Sequence, residues 1–269
     1  MSAALSAPVQ DAPGAEALAA ALLRTSVLLA GDQRFSILEL EFYGQGPRHP
    51  DPFAHAHPLQ RQSGRWYFHR AGPAGGFRGG TYAGLDLACG SPDFAAGLLI
   101  RSLQDAEGRV ICGPALCVRA LLQATGAPSV AALDARAPSA FAGPLRLEPA
   151  PERPSPILAT PRVGLTLKKT DHPELRWRFI AAPYRFVSEL RLPKGREHSA
   201  LALLAAGVDA GEVAARTGAA SAARLAAALA SGRGQPPGAF AGAQPRGEGL
   251  ARLCGAAWNT DVPRVGFLP

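Results

Sequence analysis

The chain is short of the features that mark most specialised proteins. No apolar run approaches the ~18 residues of a membrane-crossing helix, because Gly, Arg or Asp interrupts each alanine-rich stretch. A transmembrane protein is therefore not expected. Residues 1–14 (MSAALSAPVQDAPG) lack the basic start and continuous apolar block of a secretory signal, so a cytoplasmic chain is expected. Only four cysteines occur, and Cys112 and Cys117, five apart, form neither a CxxC pair nor a disulfide framework with Cys89 and Cys254. Buried thiols are the expectation. The glycines of residues 72–80 follow no GxxxxGK spacing, which excludes a P-loop for nucleoside triphosphates. No internal repeat is present. Charged residues make up 18%, but hydrophobic types reach 47%, enough to bury a core and exclude a disordered chain.

Acid is also missing locally. Between Pro52 and Leu85 there is no Asp or Glu, while Arg61, Arg65, Arg70 and Arg78 are interleaved with Trp66, Tyr67, Phe68, Phe77 and Tyr82. Arginine makes bidentate contacts to phosphate, and aromatic faces stack on exposed bases. The mixture suits a surface that follows a nucleic-acid backbone, although a hairpin with solvated arginines has the same composition. The net charge of +7 agrees with a polyanionic partner. Its distribution is uneven, since residues 191–269 hold nine basic and five acidic residues, more than half of the excess.

Leucines at helical spacing predict a helix over Ala15–Leu29. Phe35–Tyr43 reads as a strand with Leu38, Leu40 and Phe42 on one face and Ile37, Glu39, Glu41 and Tyr43 on the other. Such a strand sets the two carboxylates about 6.6 Å apart, and burial would make one titrate high. Gly97–Leu103 is a second strand, with Arg101 embedded in an apolar run that obliges it to find a partner or a cavity. Gly113-Pro114 announces a helix over Ala115–Thr125 that ends at Gly126. The proline-rich residues 137–157 read as loop or strand, and Arg162–Leu167 and Leu175–Ile180 read as strands. Short helices are expected over Glu197–Ala206, Ala210–Arg216 and Ser221–Ala230. They could form a helix-turn-helix, but the last offers only Arg224 to a base edge, which favours a packing role. Residues 231–249 read as a flexible linker, with Trp258 and Phe267 docking the end of the chain. Strands and helices without strict alternation define an α+β fold.

In this order the motifs resemble the alkyladenine, or 3-methyladenine, DNA glycosylase family over residues 15–190. The residues concerned are Glu39-Leu40-Glu41-Phe42-Tyr43, then His55 (less closely His57), Gly64-Arg65-Trp66-Tyr67-Phe68-His69, Arg101 in LLIRSL, Gly113-Pro114 with Leu116, Cys117 and Ala120-Leu121, and finally PRVGL with LRWRFIAAPYRFVS. The resemblance implies a single mixed domain, with a curved, mainly antiparallel sheet and flanking helices, over 15–190. It would be preceded by a flexible 1–14 and followed by an alanine-rich helical extension over 191–269.

The activity it implies is flipping of a damaged purine out of duplex DNA and hydrolysis of its N-glycosidic bond without metal or cofactor, by a monomer associated with the nucleoid. Glu41 falls at the family's catalytic position, as general base and stabiliser of an oxocarbenium-like transition state. Arg101 supports it by holding phosphate or the water network. Tyr43 and His55 stack on the flipped base, and Tyr67 completes the pocket. His69 stands where the family has a pocket-closing tyrosine, and Asp86 where it has an asparagine that discriminates bases. An acid at Asp86 could favour a cationic or amino-bearing base, or could mark a different substrate. In place of the family's tyrosine wedge lies the longer AGPAGGFRGG at 71–80, where Phe77 or Arg78 could fill the gap in the helix. Arg61, Arg65 and Arg70 complete the expected DNA face. The alternative is a catalytically degenerate glycosylase fold that binds damaged DNA or a protein partner without excision; a weaker third reading is hydrolysis of a free nucleoside or small glycoside. The His55/His57 pair beside Asp51 could ligate a metal, although lone HxH pairs are usually chance.

Overall fold

The computed structural model describes residues 6–72, 74–166, 173–240, 245–258 and 266–268. It is a mixed α/β structure with a large antiparallel sheet and, among the described residues, eight α-helices. The chain divides into two units, Met1–Pro50 with Ala54–Ser155 and Asp51–Phe53 with Pro156–Pro269.

The first unit opens with α1 (Ala12–Thr25), whose first turn is capped by Asp11 Oδ1 accepting from Gly14 N at 2.9 Å. Leu18, Leu22 and Leu23 bury its inner stripe. The helix expected to run to Leu29 stops at Thr25, because Ser26 turns extended and the chain becomes strand β1 (Ser26–Ala30). All five β1 residues are buried, and the strand pairs with both β2 (Gln33–Gly46) and the later β8, so sheet pairing overrides the helical leucine spacing. β2 is followed by β3 (His49–Pro50), β4 (Arg65–Phe68), β5 (Leu85–Ala88), β6 (Ala95–Gln104) and β7 (Val110–Cys112). Next come α2 (Pro114–Thr125), α3 (Val130–Arg136) and β8 (Leu145–Pro149). Gly113, at φ 124°, lets the chain turn into α2, and Gly126 ends that helix in the left-handed conformation. The pairing order is β8-β1-β2-β6-β5-β4, all antiparallel.

The register fixes what each face carries. Phe42, Leu98, Leu87 and Trp66 lie side by side across β2, β6, β5 and β4 and are buried as core. The next row, on the opposite face, is Glu41, Leu99, Asp86 and Tyr67. Trp66 donates Nε1–H to Leu145 O at 2.9 Å, which anchors β4 in the apolar layer.

In the second unit β9 (Leu158–Thr160) pairs with β10 (Arg185–Val187) and with β11 (Gly266–Phe267). Between β9 and β10 lies α4 (Pro173–Ala181), so the strand expected over Leu175–Ile180 is a helix. The strand expected over Arg162–Leu167 sits earlier, at β9; Leu167 itself lies outside the described residues. Helices α5 (Arg196–Ala205), α6 (Ala210–Thr217) and α7 (Ala222–Gly232) match the three expected. The expected linker over 231–249 instead contains a 3-10 turn at Pro237–Phe240 and the start of α8 (Gly247–Ala257), with 241–244 outside the described residues. Gly232 and Gly255 let α7 and α8 approach closely, since a Cβ on either would lie 2.1 Å from the other helix's backbone. Trp258 donates Nε1–H to Ala181 O at 3.0 Å, closing α8 onto α4. The division of the chain thus falls at 155/156 rather than 190/191, because β9 packs with α5 and pairs with β10.

Candidate active site

Glu39 and Glu41 have no exposed surface, and Arg101 is 7% exposed. Arg101 donates from Nε to Glu39 Oε1 and from Nη1 to Glu41 Oε2, each at 3.2 Å. A register shift on either side of Glu39 lets two acids of one strand meet a single guanidinium. Ser102 donates its hydroxyl to Glu39 Oε2. Tyr43 donates to Glu41 Oε2 at 2.8 Å, so this one oxygen gathers donors from both Tyr43 and Arg101. Burial acts to lower the Arg101 pKa, but Glu41, then Glu39, outweigh it and hold the guanidinium charged well above its usual range. The cluster thus sets two carboxylates against one guanidinium in a buried setting. Burial, with Glu39 adding, pushes the Cys117 thiol up and keeps it neutral.

Three strands from Glu41 on the same face lies a ring cluster. Tyr67 is buried between His57, stacked at 4.9 Å and 26°, and His55, edge-on at 6.0 Å. Its hydroxyl is 3.3 Å from His55 Nδ1. Burial, then Asp86, pushes the Tyr67 phenol up to about 12, so the proton stays on it at neutral pH. His69 meets His55 at 4.4 Å and places Nε2 2.8 Å from Asp86 Oδ1. The two histidines of the HxH pair do not share an extended face, because Ala56 between them has φ 51°. That left-handed backbone costs about 1 kcal/mol or more in a non-glycine residue and sends the two rings to different sides of Tyr67. Among the described residues no group of three His, Cys, Asp or Glu side chains is arranged to hold a metal ion.

The basic segment is divided in use. Arg61 is exposed at the end of a 3-10 turn, and Arg65 donates weakly to Gln62 Oε1 at 3.4 Å. Arg70 pairs with Asp134 at 3.2 Å and stacks over Phe77 with its Cζ 4.0 Å from the ring centre. Phe77 in turn lies edge-on to Phe68, and Arg78 donates Nε–H to Arg70 O. Arg70 and Phe77 therefore hold each other in the loop. The aromatic that does project is Tyr82, 73% exposed and flanked by Gly79, Gly80 and Gly84. Composition counted Tyr82 with its neighbours; its glycine flanks were the signal that set it apart.

No family model matches this chain. It is similar to an uncharacterized protein of Acanthamoeba polyphaga mimivirus, with 33% identity over 120 residues covering 39% of this chain and 55% of the viral protein. The chain thus spans about half the length of the relative it matches.

Proposed function

We propose that this chain is a base-excision DNA glycosylase that hydrolyses the N-glycosidic bond of an alkylated or deaminated purine flipped from duplex DNA. The observation that carries the reading is the row Glu41–Leu99–Asp86–Tyr67, which sets a buried carboxylate and a histidine-tyrosine cluster on one sheet face. A carboxylate of this kind can take a proton from water as it attacks C1′, and its charge opposes the positive charge that develops on the sugar. Arg101 and Tyr43 fix Glu41 Oε2 in direction, so little reorganisation is needed when charge develops. Electron-rich rings at Tyr67, His55 and Tyr43 suit a flipped, electron-poor purine. Arg61, Arg65 and Arg78 supply phosphate contacts, and Tyr82 is the side chain best exposed to enter the base stack.

The test is incubation with duplex oligonucleotides carrying hypoxanthine, ethenoadenine or 3-methyladenine, followed by alkaline cleavage. Strand breaks at the lesion, absent with Glu41→Gln, support the reading. Tight binding to the same duplexes without breaks supports the non-cutting alternative.

A further inference from the structure

Away from the acid and ring clusters, the first unit holds a second concave surface. Arg34 and Ser36 of β2, Gln104 at the end of β6, Asp105 after it, and Glu152 and Arg153 beyond β8 line an open cleft of about 530 Å³, within the size range of small-molecule sites. We propose that this cleft binds a small, non-aromatic phosphate monoester, with Arg34 and Arg153 taking the phosphoryl group.

Arg153 is held in place by the chain around it. Its Nη2 donates to Leu23 O at 2.7 Å and to Ser26 O at 2.9 Å, carbonyls at the end of α1, and its backbone N–H donates to Arg24 O at 2.9 Å. These bonds leave part of the guanidinium unused. Its Nε is buried and has no hydrogen-bond partner among the described residues. Burial lowers the Arg153 pKa from the ordinary arginine value, and no acid's charge acts against that shift. A guanidinium keeps its charge at neutral pH, so an anionic acceptor would meet the orphaned donor and the desolvated charge together.

Arg34 adds a second guanidinium. It is exposed, opposite Leu29 of β1, and forms no ion pair among the described residues. Ser36 stands directly opposite Gln104 across β2 and β6, which puts a hydroxyl and an amide side by side on one sheet face. Gln104 is steadied by donating Nε2–H to Gly108 O at 3.1 Å. Of the two acids in the lining, Asp105 is already engaged, accepting from Arg109 N at 2.8 Å and from Arg109 Nε at 2.9 Å. Glu152, exposed, is the acid that opposes an anion, and two guanidiniums outweigh it.

The donor set decides the ligand class. A phosphoryl group offers three oxygens, enough to accept from two forked guanidiniums and a hydroxyl, where a carboxylate offers two. No described residue lining the cleft carries an aromatic ring, so a nucleobase finds nothing to stack on. Ser36 shares the sheet face of Phe42, opposite that of Glu41, and lies about 17 Å from Glu41 along β2 at strand rise. The cleft is thus separate from the candidate active site and does not rest on the glycosylase reading.

The experiment is calorimetric titration of the full chain with glucose 6-phosphate, alone, with inorganic phosphate as competitor, and with an excess of duplex DNA. The expected result is binding that inorganic phosphate displaces and duplex DNA does not. Arg34→Gln should weaken it by about tenfold or more, as loss of a charge-assisted hydrogen bond does. Glu152→Gln, which removes the opposing acid, should tighten it by roughly twofold to fivefold. Both side chains are exposed, so unfolding midpoints are expected to match the unaltered chain, and the opposite signs separate a binding effect from a loss of fold. No binding, equal binding by Arg34→Gln, or weaker binding by Glu152→Gln overturns the proposal. Displacement by duplex DNA also overturns it, and assigns the two arginines to a nucleic-acid backbone.

Discussion

Each unit buries an arginine against carboxylate, and the two clusters differ in stoichiometry. In the second unit Arg162 meets Asp51 through two bonds, Nη1 to Oδ2 at 2.6 Å and Nη2 to Oδ1 at 3.2 Å, with no exposed surface on either side chain. Phe179 O accepts a further Arg162 proton, and the rings of Phe53 and Tyr184 lie within 5.7 Å and 5.6 Å of its Cζ. One carboxylate meets one guanidinium. In the first unit Arg101 faces two acids. The one-to-one pair acts as a staple between chain segments; the two-to-one cluster holds a second carboxylate, whose complement under the proposed function is the cationic sugar of an N-glycosidic transition state.

That contrast is open to breaking from both sides. Glu41→Gln removes the second carboxylate and is expected to slow base release by roughly 10³-fold, within the range of general-base losses, while the unfolding midpoint stays close to that of the unaltered chain. Arg162→Met leaves Asp51 buried and unmatched, and is expected to cost about 3–5 kcal/mol of stability, measured by denaturant unfolding. Equal destabilisation by the two variants would erase the distinction between staple and site.

A smaller effect is expected for the basic face. Replacing Arg61, Arg65 and Arg78 together with Gln should weaken duplex binding and reduce its log–log salt slope by about 0.9 for each phosphate no longer neutralised. Arg70→Gln, which breaks the Asp134 pair and the Phe77 stack, is expected to disturb the loop more than the slope. The smallest effect concerns Tyr67. Its phenol pKa is raised to about 12 in the folded chain from the ordinary 10.0, so above that lower value the unfolded chain gives up the proton first. Stability from Tyr67 is full below the lower value and declines up to the higher one, and Tyr67→Phe should flatten that alkaline decline in thermal unfolding curves.

Local chemistry made much of this legible in the sequence. Alternation around Glu39 and Glu41 predicted the strand and its two faces, and an arginine inside an apolar run called for a partner or a cavity, of which the two acids supply the first. The Gly113-Pro114 start and Gly126 stop framed α2. What the sequence hid was set by residues distant along the chain. Residues Ser26–Ala30 carry helical spacing but are claimed by pairing to β2 and β8. Leu175–Ile180 has the alternation of a strand, yet it is the helix on which Trp258 closes. The tie between Gln60 and Asp86 spans 26 residues and depends on a bare Cα at Gly97, a requirement invisible until the strands are side by side.

The central claim is that Glu41 is a water-activating carboxylate rather than a structural acid. The most direct measurement is the single-turnover rate of free-base release from a hypoxanthine-containing duplex, comparing the unaltered chain with Glu41→Gln at equal occupancy of DNA. A water-activating Glu41 predicts release by the unaltered chain and a rate about 10³-fold lower for the variant. Equal rates, or tight binding with no base released by either protein, would contradict it.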